Sequence, residues 1–319
     1  MSPSPSRSLL VARRAASVFG ALTAVAFVLI VFGALVRAKG AGLACPDWPL
    51  CFGAAIPSFD FRIALEWGHR VLAGALSVGL AAASAYVLRE RGLRPVVGAA
   101  LGVAWVLLAV QIVLGGLTVL LGLAPWTVTA HLLCGSAFCA TLLWCARNLA
   151  EHGSQAPSAP LSAWARALGL GTAALVAVQV GLGGWVSSHF AGLACYAFPT
   201  CDGVSIAPTF SGLIGIHLLH RIGACLVGVA FILLVWATRG SDEPVARIAR
   251  SGLRLVVLQL AVGIANVLLR LPPEVTALHS ALAAALVLAS TLLAREILLH
   301  SAERSASASP ARAQALGTS

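Results

Sequence analysis

Eight histidines occur in this chain, and four of them fall on a pattern: His69, His131, His220 and His279. Each lies near the start of an apolar run. His69-Arg70 recurs as His220-Arg221 at an offset of 151, and the His131 that ends VTAH recurs as the His279 that ends VTALH at an offset of 148. An ionisable group within a membrane span is costly and marks a functional site by default. A single such imidazole is as readily a hydrogen-bonded strut between helices. Four of them, in two repeat-related pairs at similar depth, fit that reading poorly. Zinc takes four protein ligands, or three and a water, so a pair is too few. Iron in a porphyrin plane needs one or two axial ligands, commonly histidine, and the interior of a helix bundle suits such a cofactor. The metal-ligating set therefore reads as two haem sites, His69 with His131 and His220 with His279. Arg70 and Arg221 follow two of these ligands directly. They are candidates for pairing with haem propionates or for snorkelling to the surface.

The two copies differ at one chemically telling position. Glu66-Trp67-Gly68-His69-Arg70 in the first becomes His217-Leu218-Leu219-His220-Arg221 in the second. Glu66 is one turn from His69 on the same helix face. It can shuttle a proton or stabilise a developing cation beside a bound haem, or it is a carboxylate bonded to Arg70 or a loop. His217 is a second candidate partner for the second site, and the repeat alignment favours His220 as the ligand.

Two cysteine pairs, Cys45 with Cys51 and Cys195 with Cys201, share a C-x5-C spacing in equivalent loops. One disulfide per loop is the structural reading. Electron relay or thiol exchange by the first pair is the other. Cys134, Cys139, Cys145 and Cys225 lie in apolar helices and read as packing residues.

Only 10% of residues are charged and 59% are hydrophobic, against roughly 25% charged in soluble domains. Eight apolar runs are long enough to span a bilayer core: 15–36, 66–88, 95–119, 126–147, 163–186, 212–238, 252–270 and 275–298. Most of the 21 lysines and arginines fall in alternate connections. By the positive-inside rule this places both termini in the cytoplasm, the 38–62 and 187–211 loops outside, and the protein in the cell (plasma) membrane as a multi-pass chain. Disulfides persist in such an outer compartment. The net charge of +10 is thus a topology signal, and nucleic acid is excluded as a partner.

Residues 33–53 and 183–203 are identical at ten of 21 positions without a gap. The fold expected is all-α: a polytopic membrane protein of eight transmembrane helices, arranged as two pseudo-symmetric four-helix bundles related by an axis along the membrane normal. Its parts are a cytoplasmic tail (1–14), an N-terminal half (15–150), a cytoplasmic linker (151–162), a C-terminal half (163–299) and a tail (300–319) rich in Ser, Ala and Arg that is expected to be disordered.

The ordered set GALVRA, the first C-x5-C loop, EWGHR, VTAHLLCG, LLHR and VTALHS resembles the haem A synthase family over about residues 15–300. The resemblance implies an oxidoreductase that converts haem O to haem A by oxidising the C8 methyl group to a formyl, for terminal oxidase assembly. It implies haem O as substrate between His69 and His131, Glu66 as the catalytic carboxylate and haem b as cofactor on His220 and His279. It implies a functional disulfide Cys45–Cys51; the second pair is not universal in the family, and Cys195–Cys201 keeps its structural reading. Membrane lipid surrounds such a protein; a haem O synthase, oxidase assembly factors and a second copy of the chain are open as partners. Two other classes fit the histidines: a di-haem b-type electron carrier, which predicts equivalent sites in both halves, and a haem transporter or chaperone, which predicts exchangeable haem without redox chemistry.

Overall fold

A computed structural model describes residues 5–153, 161–239 and 244–315, with side chains from 8 to 299 within those stretches. Among the described residues run eight helices: α1 (Pro5–Ala38), α2 (Phe61–Leu88), α3 (Arg94–Leu120), α4 (Pro125–Ala150), α5 (Ala163–Ser188), α6 (Gly212–Ala237), α7 (Pro244–Leu268) and α8 (Pro273–Ala315). All eight are long and apolar enough to cross a membrane. The chain is an all-α, multi-pass membrane protein, as a lipid environment that offers the backbone no hydrogen-bond partners requires.

Most boundaries fall close to the apolar runs, but three helices extend well beyond them. α1 starts at Pro5, ahead of residue 15; α7 starts at Pro244, ahead of 252; and α8 continues to Ala315, past 298. Hydropathy marks only what lipid can cover, whereas alanine and arginine in the flanks are good helix formers and propagate the helix outward. α8 runs to Ala315, into the tail expected to be disordered. Residues 316–319, residues 1–4 and 154–160 of the linker lie outside the described residues. Local signals fix several starts. The Asp60 side chain accepts from Ile63 N–H at 2.8 Å to cap α2, the Ser162 hydroxyl accepts from Ala165 N–H at 3.1 Å to cap α5, and prolines open α3 and α4, where a missing N–H costs nothing.

The halves repeat one packing scheme. α1 lies on α2 and α4, and α3 on α4; likewise α5 lies on α6 and α8, and α7 on α8. The halves join through α1–α8, its counterpart α4–α5, and α4–α8. Arg37 and Ser187 stand at the same place in the two copies, 150 residues apart, and touch: Arg37 Nε donates to Ser187 Oγ at 2.8 Å and its Nη2 to the Ser187 carbonyl. Equivalent positions in contact mark the pseudo-twofold axis at the end carrying the cysteine loops. Lys39 and Glu274 pair there at 2.7 Å. At the opposite end buried Arg295 on α8 holds Glu151 Oε2 at 2.7 Å and Asn148 Oδ1 at 3.0 Å, joining the halves again.

The densest core of the first half is built from Phe19, Leu80, Val87, Leu93, Val97, Leu142 and Leu149. The second half is cored by Phe231 with Val256 and by Leu234 with Leu293 and Ile297. These residues occupy the part of each helix remote from the cysteine loops. The histidines occupy the other part.

Candidate haem-binding site

His69 and His220 each stand eight residues after the first residue of α2 and α6, and His131 and His279 six residues after the first of α4 and α8. At about 1.5 Å per residue the four imidazoles lie roughly 9–12 Å below the helix starts, at one level. All four are half-buried. His69 and His131 are within electrostatic range of each other, as are His220 and His279. Phe32 of α1 meets the His69 ring edge-on at 5.8 Å.

Each imidazole rests on a glycine of the preceding odd-numbered helix. A methyl group on Gly33 would stand 3.2 Å from His69, on Gly115 3.3 Å from His131, on Gly183 3.1 Å from His220 and on Gly263 2.9 Å from His279. Four residues before three of these glycines is a glutamine whose amide reaches the ring: Gln111 to His131 at 3.2 Å, Gln179 to His220 at 3.0 Å and Gln259 to His279 at 3.3 Å. The fourth counterpart is Leu29, with an apolar side chain in place of the amide. This Gln-x3-Gly seat was missed in reading the sequence, although its spacing is printed there three times.

The donor set fits haem. Among the described residues no three His, Cys, Asp or Glu side chains converge as a metal cage would need; the histidines come as pairs. Nδ1 of His131 and of His279 is buried without a hydrogen-bond partner, an arrangement a native interior avoids unless something else engages the group. The helices that carry each pair, α2 with α4 and α6 with α8, do not pack closely on each other, although both pack on their odd-numbered neighbours. Such a separation suits a flat group placed between two imidazoles.

The residues beside the histidines turn toward the loops. Cys45–Cys51 and Cys195–Cys201 are both disulfide-bonded, and all four cysteines are buried. Glu66, only 5% exposed, accepts the Cys45 N–H at 2.8 Å through Oε2 and pairs with Arg70 Nη2 at 2.5 Å through Oε1. His217 takes the same place in the second half: its Nδ1 lies 3.3 Å from Cys195 N and 3.0 Å from the Ala191 carbonyl, with the tautomer deciding which bond forms. Arg70 donates to the carbonyls of Asp47, Leu50 and Cys45, and Arg221 to those of Thr200, Cys195 and Ala197. Both arginines, candidates from sequence for haem propionates or for snorkelling, donate to the carbonyls of their disulfide loops. His217 is directed there too, leaving His220 beside Gln179 at the inner level.

Each loop also carries an aspartate tying its own backbone. The Gly53 and Phe52 N–H groups, each 2.7 Å from the Asp47 carboxylate, hold its pKa below the usual carboxylate value. The Ser205 and Val204 N–H groups do the same for Asp202. His189 caps the end of α5, its Nδ1 2.9 Å from the Trp185 carbonyl. Cys134, Cys139 and Cys145 are buried packing residues, but Cys225 is exposed on α6, because it faces away from the bundle.

The model of the COX15-CtaA family, described as cytochrome oxidase assembly protein, matches residues 17–61 and 57–291. The chain belongs to this family. Members similar to it include a protein named heme A synthase from Shewanella oneidensis, 32% identical over 307 residues, covering 82% of this chain and 89% of the relative. The heme A synthase of Symbiobacterium thermophilum is 32% identical over 255 residues, covering 76% and 81%. That of Methylobacterium radiotolerans is 27% identical over 330 residues, covering 86% and 87%. The family match spans all four seated histidines, both cysteine pairs and Glu66.

Proposed function

We propose that this protein is a haem A synthase, an oxidoreductase that converts the C8 methyl group of haem O to a formyl group and so supplies haem A for oxidase assembly. The observation that carries this reading is the pair of two-histidine seats at one depth, in a chain whose relatives are named for haem A synthesis. His69 and His131 bind the substrate haem O. His220 and His279 ligate a resident haem b, which supplies one-electron redox chemistry when bound.

Glu66 is the catalytic carboxylate of the first site. The support comes from the repeat. His217 makes the contact to its loop that Glu66 makes to Cys45, so holding the loop does not require a carboxylate, and the first half alone has one. Placed beside the substrate site, it accepts or delivers a proton as the methyl carbon is oxidised. Arg70 keeps the carboxylate oriented. The propionate contacts of Arg70 and Arg221 belong to this proposal: each directly follows a proposed iron ligand, His69 or His220, in the chain, and a guanidinium pairs bidentately with a carboxylate.

The disulfide loops face the outside of the plasma membrane and both termini face the cytoplasm. Arginine placement supports this, as do two disulfides at the same end of the bundle. The test is direct. Haem O supplied to aerobic cells that express the protein, whose respiratory chain takes up the four electrons released, then extracted and chromatographed, yields a formyl haem. Recovery of haem O alone, as from cells without the protein, overturns the assignment.

A further inference from the structure

The four histidine seats are equivalent in backbone and unequal in one side chain. Gln111 and Gln259 are 148 residues apart, as His131 and His279 are, and Gln179 has its counterpart at residue 29, which is leucine. In all three glutamines the Oε1 atom is buried without a hydrogen-bond partner. An amide left half-satisfied in an apolar interior destabilises the fold, and Leu29 shows that an apolar residue fills the same place. Room is nonetheless kept for two of the amides by glycines one turn beyond the histidines. A methyl on Gly135 would stand 2.9 Å from Gln111 Nε2, and one on Gly223 would clash with Gln179 Oε1.

We propose that Gln111, Gln179 and Gln259 are positioning residues that fix three imidazoles for iron, and that Leu29 leaves His69 as the ligand that lets go. The proposal rests on the haem reading above. A ligating imidazole donates its other ring N–H to an acceptor behind it, and loss of that acceptor costs about 10–100-fold in affinity. Each glutamine meets its ring through Nε2, and the amide turned end for end puts its unpartnered Oε1 there to accept that N–H. The second pair, with a glutamine behind each ring, is built to retain its haem. The first, with one glutamine and one leucine, holds a haem through His131 while His69 opens for exchange of substrate and product.

The experiment uses the purified, haem-loaded full chain mixed with an excess of haem-scavenging apoglobin. Transfer is followed by absorbance, and the haem remaining is identified by extraction. Because the two sites carry different haems, the identity of the lost haem reports the site. Haem O or A should leave at least about tenfold faster than haem b. Leu29→Gln should slow that loss about tenfold, and Leu29→Met should not. Gln179→Leu and Gln259→Leu should each speed loss of haem b by about 10–100-fold and shift its midpoint potential; because either variant reads the same site, a folding failure in one leaves the other decisive. The proposal is overturned if Leu29→Gln and Leu29→Met behave alike, or if neither glutamine variant loses haem b faster. Unsubstituted protein that binds no haem overturns the underlying assignment as well.

Discussion

Glu66 and Arg70 form an ion pair at 2.5 Å across one turn of α2, and both sides of that pair are tied to the disulfide loop through Cys45. The carboxylate, the first disulfide and the start of the helix bearing His69 are therefore one mechanical unit. In the second half the unit is rebuilt with His217 in place of the carboxylate.

That substitution suggests its own test. Glu66→His copies the second half, keeping an acceptor for the Cys45 N–H while removing the carboxylate. We expect a folded, haem-binding protein whose haem A formation falls by about 100-fold or more, the scale of a lost general acid–base group. Glu66→Gln should behave alike. Normal haem A output from Glu66→His would assign Glu66 to holding the loop alone.

The two disulfides should not be equivalent. Cys51→Ser frees the loop that fixes Glu66, and a displacement of about 1 Å at a reacting group can cost on the order of 100-fold in rate. Cys201→Ser frees a loop fixed by His217. Haem A formation should fall much further in Cys51→Ser than in Cys201→Ser, with haem content compared in both. Equal losses would show that the disulfides act only on the fold.

Loop order should depend on pH in a defined direction. Backbone N–H bonds depress the pKa of Asp47 and of Asp202 below the usual carboxylate value of 3.8. A carboxylate with a depressed folded pKa stabilises the fold above its unfolded pKa, and that contribution is lost as pH falls through the folded pKa. Hydrogen–deuterium exchange of the two loop segments, corrected for intrinsic rates, should show protection held from neutral pH down to about 4 and lost progressively below. Asp47→Asn should remove this acid transition in the first loop only.

The glycine seats predict a contrast between alanine substitutions. Gly263→Ala places a methyl 2.9 Å from the His279 ring; overpacking of this kind costs about 1–3 kcal/mol and should disturb the spectrum of one haem. Gly74→Ala, on α2 with no neighbour within 4 Å, should leave the spectrum unchanged and slightly raise the unfolding temperature, since alanine is the better helix former. Thermal unfolding and absorption of the two variants check both.

Much of this was legible in the sequence because lipid imposes simple rules. Eight runs of sufficient length gave the helices, and the repeat offsets placed His69, His131, His220 and His279 at one level. Three things were not legible from periodicity. The extended ends of α1, α7 and α8 carry arginines that interrupt the apolar runs, so the runs stop short of the helix ends. The direction of Arg70, Arg221 and His217 depends on how each loop folds back over its helix, which no linear spacing encodes. The glutamine–glycine seats were visible as a repeated i, i+4 pair, but their meaning appears only when the next helix lays an imidazole across them.

The central claim is that the four imidazoles clasp iron as two couples. Absorption spectroscopy of the purified protein and of its four histidine-to-alanine variants tests it most directly. We predict that His220→Ala and His279→Ala each abolish the same low-spin bis-histidine signal and spare the other site, while His69→Ala and His131→Ala alter the remaining one. Spectra unchanged in both His220→Ala and His279→Ala would contradict the account.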